Sequence, residues 1–120
     1  EWERLRPVLG IAELRELREA VKKVVVDEKI KRFIVDIVGA TRRSGMLYLG
    51  ASPRASIALM NGAKAYAALQ GRDFTVPEDV IYLAAPVLRH RVQLSSEKEL
   101  EGAGVEQVIG QLLSKIEIPR

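Results

Sequence analysis

The chain contains no cysteine and a single histidine, His90. The first absence excludes disulfides and thiol catalysis, and the two together leave a structural zinc site almost no ligands; no metal site is expected. No apolar run approaches the ~18–20 residues that a bilayer span requires, and no charged-then-apolar N-terminal stretch marks export, so a cytoplasmic protein without a membrane span is expected. The phosphate loop G-x-x-x-x-G-K-[ST] does not occur, nor does a hydrophobic strand ending in paired acids of the kind that holds magnesium. Segregated charge is lacking too: 19 bases and 16 acids give a net charge of +3, and their interspersion permits an anionic partner without predicting one.

What is there is the composition of one folded domain. At 120 residues, 48% hydrophobic and 29% charged, the chain is long enough to bury a single core and too apolar to be disordered. The first ten residues show little periodicity. Leu14, Leu17, Val21 and Val24 then recur at helical spacing among charges, predicting an amphipathic helix from Ala12 to about Val24. Asp27 is a plausible N-cap for a second helix carrying Ile30, Phe33, Ile34, Ile37 and Val38 on one face, with Gly45 as its expected C-cap. The stretch Gly45–Gly50 is unusually apolar for a connection, so it is expected to pack against the bundle or another domain.

A third helix from Pro53 to about Leu69 bears a stripe of small residues that lets a neighbour approach closely, and Gly71 is placed to end it. Val80, Ile81, Leu83 and Ala84 support a further helix capped near Val76, with Pro86 either kinking it or starting a separate turn. Ser95–Gly104 reads as a polar loop, and Val105 to Ile116 as the last helix. The fold predicted is an all-α bundle of four main helices, with a minimal two-stranded β element between Val24–Val26 and Phe74–Val76. The core expected for it comprises Leu14, Leu17, Val21, Phe33, Ile34, Ile37, Leu59, Ala63, Tyr66, Val80, Ile81, Leu88, Ile109 and Leu112.

One segment stands out chemically. In Gly50-Ala51-Ser52-Pro53-Arg54-Ala55, Ser52 reads as N-cap and Pro53 as the first helical residue, which puts Arg54 in the first turn. Amides and macrodipole make that end electropositive, so a cation there is locally unfavourable by ~0.3–1 kcal/mol. A helix start with an added guanidinium suits a phosphate or carboxylate; an arginine simply extending into water is the plainer alternative. Arg89-His90-Arg91 and Arg42-Arg43 are the other polar clusters, each readable as a contact surface or as cations placed at a helix C-terminus by the dipole. Arg72-Asp73 reads as a turn with a local ion pair.

Taken in order, G-A-S-P-R-A, Ala63-Lys64-Ala65-Tyr66-Ala67-Ala68-Leu69-Gln70-Gly71-Arg72-Asp73, Val76-Pro77-Glu78-Asp79-Val80 and Pro86-Val87-Leu88-Arg89-His90-Arg91 resemble the C-terminal lid subdomain of MoxR-family AAA+ ATPases, relatives of the magnesium-chelatase ATPase subunits. Each piece is weak alone and the ordered set is specific. The resemblance implies a lead-in segment over residues 1–10 and a lid over residues 11–118, with Glu1 a cut within a longer protein whose N-terminal ATPase core supplies the phosphate loop.

It further implies that Arg54 is a sensor-2-type catalytic residue, that Ser52, Pro53 and Arg54 bind the nucleotide, and that Arg42, Arg89, His90 and Arg91 contact the core or a neighbouring subunit. ATP and Mg²⁺ would be the cofactors of the full-length protein, with neither held tightly by this chain alone. The assembly implied is a homo-oligomeric ring, a hexamer, doing chaperone-like work on a protein client with a metal-binding or adhesion-type domain. The alternatives are a helical nucleic-acid-binding module, for which no basic recognition helix appears, and a free-standing helical interaction protein.

Overall fold

The computed structural model describes all residues from Glu1 to Arg120. Six α-helices follow a single 3₁₀ turn at Trp2–Arg4: α1 (Ile11–Lys22), α2 (Glu28–Arg43), α3 (Pro53–Leu69), α4 (Pro77–Leu88), α5 (Ser96–Leu100) and α6 (Val105–Ser114). Strands β1 (Leu47–Leu49) and β2 (Gln93–Leu94) form one antiparallel pair. Helices α2, α3, α4 and α6 are the bundle, and its main core joins Ile30, Phe33, Ile34 and Ile37 of α2 to Leu59 of α3, Val80 and Leu88 of α4 and Ile109 of α6. A second cluster, Leu47, Leu94, Val108 and Leu112, seals the β pair onto α6. Fully burying one such aliphatic side chain contributes roughly 1.5–3 kcal/mol.

The predicted helical stripes account for most of this core. Phe33, Ile34, Ile37, Leu59, Ala63, Val80, Leu88, Ile109 and Leu112 are buried. Val21, Tyr66 and Ile81 are half-buried; Tyr66 instead stacks on Tyr82, ring centroids 4.4 Å apart. Leu14 and Leu17 remain 48% and 50% exposed, because α1 lies outside the bundle and buries no residue. The radius of gyration, 17.0 Å, exceeds the about 14 Å of a compact chain of this length, which reflects the same extension.

Several local readings are corrected. The two-stranded element does not form between Val24–Val26 and Phe74–Val76; only one bridge joins Val25 to Phe74 there, through Val25 N–H to Asp73 O (2.9 Å) and Thr75 N–H to Val25 O (3.0 Å). The paired strands come instead from the apolar Gly45–Gly50 stretch and Gln93–Leu94, since Leu47 and Leu94 gain burial by meeting over α6. Helix α2 ends at Arg43 with Ser44 extended, so Gly45 is not its cap. Within Ser95–Gly104, Ser95 accepts the Lys98 amide and starts the short α5. Pro86 leaves α4 continuous.

Gly71 does close α3 as expected, at φ +76°. Arg72 N–H reaches Ala67 O at 2.9 Å and Gly71 N–H reaches Ala68 O at 3.0 Å, the paired bonds of a Schellman turn whose left-handed residue favours glycine.

Candidate functional site

Helix α3 starts where the sequence places it, with Ser52 extended as N-cap and Pro53 as first residue, but the Ser52 hydroxyl makes no capping bond. No acid occupies the first turn. Arg54 is exposed and makes no ion pair within the chain. Donors and a guanidinium thus share one helix end with nothing to neutralise them, the arrangement an oxyanion ligand completes. No group of three or more His, Cys, Asp or Glu is disposed to hold a metal.

Gly62 of α3 faces Leu83 and Val87, and Tyr66 stacks on Tyr82; α3 and α4 are therefore antiparallel, and Leu88 at the end of α4 shares the core with Leu59, within α3 and beyond its first turn. The end of α2 meets the segment that leads into α3, since the Ala51 amide donates to Thr41 Oγ1 at 2.9 Å and Arg42 follows Thr41.

Partnering separates the other basic residues. Arg89 pairs with Glu106 at 2.8 Å, both side chains more than half exposed, so the contact adds little stability. His90 and Arg42 are exposed. Arg91 is half-buried with its Nε unpartnered. None of the larger surface grooves is lined by Arg54, Arg89, His90 or Arg91. Of the two basic residues on α3, Lys64 donates to the Lys22 carbonyl, 2.8 Å away.

At the opposite end of α3 stands an ion pair that spacing alone did not reveal. Arg72 pairs not with neighbouring Asp73 but with Asp79, Nη2 to Oδ1 at 2.6 Å and Nη1 to Oδ2 at 2.8 Å, while Nη1 also donates to the Phe74 carbonyl at 3.0 Å. Asp79 Oδ2 accepts the Val76 amide at 2.8 Å, capping α4. Burial would raise the Asp79 carboxyl, but the Arg72 hydrogen bonds, the Val76 amide and the Arg72 charge outweigh it and hold the carboxyl below the usual aspartate range. The acid three residues after Val76, at capping-box spacing, was the available signal.

This architecture has known counterparts. An AAA lid domain family model matches residues 39–112. The chain therefore belongs to the AAA lid domain family. Its relatives assign it to the MoxR type: it is 31% identical to Chaperone MoxR1 of Mycobacterium tuberculosis, over 96% of this chain and 33% of that protein. It is 41% identical to YeaC of Bacillus subtilis (strain 168), an uncharacterized protein, over 98% of this chain and 37% of that one. A crystal structure described as a "putative ATPase" from Cytophaga hutchinsonii superposes with a TM-score of 0.85 at 34% identity, covering 91% of this chain and 36% of that one. The chain thus spans about a third of the length of the proteins it matches.

Proposed function

We propose that this lid works as the nucleotide-sensing part of a longer AAA+ ATPase, and that Arg54 reaches from the start of α3 to the phosphates of ATP bound with Mg²⁺ on the protein's own core domain. The observation that carries the reading is an unpaired, exposed arginine at an acid-free helix start. Phosphoryl transfer is catalysed by positioning and charge stabilisation from a phosphate cradle, a metal and an arginine; these residues supply the last. Ser52 and Pro53 shape the backbone at the phosphate-facing turn.

Arg42, Arg89, His90 and Arg91 line the contact with the core or the adjoining subunit of a homo-oligomeric ring, taken as a hexamer. A second surface supports a neighbouring domain. Trp2, Leu5, Val8, Leu9, Ile11, Leu14 and Leu17 are all exposed along residues 1–22, apolar side chains that a neighbouring domain would cover. Residues 1–10 are read as the lead-in from the core and 11–118 as the lid. The lid turns as a rigid body against the core when nucleotide changes state. The whole protein is read as a cytoplasmic, chaperone-like ATPase that matures or assembles protein complexes, its client a protein with a metal-binding or adhesion-type domain.

Titration calorimetry on the 120-residue chain tests where the nucleotide site lies. One arginine and one helix end cannot replace a full cradle and its magnesium, so weak or no ATP binding and no hydrolysis are expected. Submicromolar affinity would put the whole site within the lid and overturn the reading.

A further inference from the structure

Among the buried polar groups, Thr41 is the one that bonds α2 to the segment leading into α3. It is 2% exposed, in the last turn of α2. Its hydroxyl donates to the Val38 carbonyl at 2.6 Å, the local back-bond open to a helical threonine, and that leaves the oxygen's lone pairs free for an outside donor. The donor is the Ala51 amide at 2.9 Å, ten residues along the chain and three before Arg54. Ala51 is itself fully buried.

Gly50 extends the same contact. A β-carbon there would lie 2.6 Å from the Thr41 carbonyl oxygen and 2.6 Å from the Arg42 α-carbon, so the backbone ahead of α3 lies flush on the end of α2 with no room for a side chain. On its other side the segment is held by Leu47 in the second core cluster. The base of Arg54 is therefore fixed to α2 while its guanidinium stays free.

We propose that Thr41 and Gly50 form a latch that positions Arg54, with Thr41 the positioning residue. This rests on the phosphate-contacting role of Arg54. Thr41 touches no ligand; it sets the place from which the arginine reaches, and ties that place to the α2 turn carrying Arg42. An ångström-scale misplacement of a positioned group costs up to about 10²-fold in rate, so the hydroxyl matters far beyond its share of the core.

The test is a double-mutant cycle on ATP turnover in the full-length protein, comparing Thr41→Val, Arg54→Ala and the pair, with Thr41→Ser and Gly50→Ala alongside. Thr41→Val should lower turnover by up to about 10²-fold and add nothing on top of Arg54→Ala. Thr41→Ser, which keeps the hydroxyl, should restore wild-type turnover, and Gly50→Ala should reproduce the loss. Hydrogen exchange at the Ala51 amide should accelerate in Thr41→Val and stay slow in Thr41→Ser. Were Thr41→Val to fail to fold, the serine and Gly50 variants would carry the comparison. Wild-type turnover in Thr41→Val, or losses that multiply in the double variant, would overturn the latch while leaving the Arg54 reading intact. An inert Arg54→Ala would instead remove that reading, and the latch with it.

Discussion

Helix α3 has an arginine near each of its ends, and the two live in opposite circumstances. Arg72, just past the Schellman turn, is forked onto Asp79 and the Phe74 carbonyl and closes the turn into α4. Arg54, in the first turn, touches no acid. An arginine whose donors are met within the chain builds the fold; one held at a fixed place with its donors unmet is available to something outside it. Packing draws the same division, between a bundle that buries its apolar stripes and an α1 that leaves Leu14 and Leu17 half exposed.

That contrast can be broken from either side, and stability gives the cleanest ranking. Leu59→Ala should cost most, about 2–5 kcal/mol, because the side chain is fully buried among three helices and leaves a cavity; Leu14→Ala on α1 should cost a small fraction of that by the same denaturant titration. Asp79→Ala comes next, at about 1–3 kcal/mol, since it strips the half-buried Val76 amide of its acceptor and Arg72 of its buried partner.

The Asp79 contribution also has a pH signature. Its carboxyl is depressed in the folded protein, so the stabilisation is complete above the ordinary aspartate range and is lost as pH falls through the folded value. Thermal unfolding followed into acid should show that loss in the wild type and a flatter acid limb in Asp79→Asn. Smallest of all should be Arg54→Ala, within about 0.5 kcal/mol of wild type. A substantial destabilisation would mean that Arg54 belongs with Arg72 among the residues that build the fold.

Much of the bundle was legible because helical periodicity and capping act locally: the α2 stripe from Ile30 to Val38, the proline-led start of α3 and the glycine that ends it all follow from neighbours within a turn or two. What escaped depends on distant partners. Nothing local says that Leu47 will meet Leu94 rather than Val25 meeting Phe74, or that Arg72 will pass over Asp73 for Asp79. The exposed face of α1 escaped for another reason: amphipathic spacing reports that a helix has an apolar side, not whether this chain covers it. At the candidate site the motif marked Arg54, while the bond from the Ala51 amide to Thr41, ten residues away on α2, required the fold.

The central claim is that Arg54 is held free for phosphate, and ATP turnover by Arg54→Ala in the full-length, folded and assembled protein tests it most directly. Direct action on the transferring phosphoryl group is worth ~10³–10⁵ in rate for an arginine of this chemical kind, and an arginine that chiefly senses nucleotide is worth less. The account predicts a large fall, with Arg54→Lys restoring only part of it because a point charge does not reproduce the planar fork. Turnover at the wild-type rate in Arg54→Ala would contradict the account and leave Arg54 an ordinary surface residue.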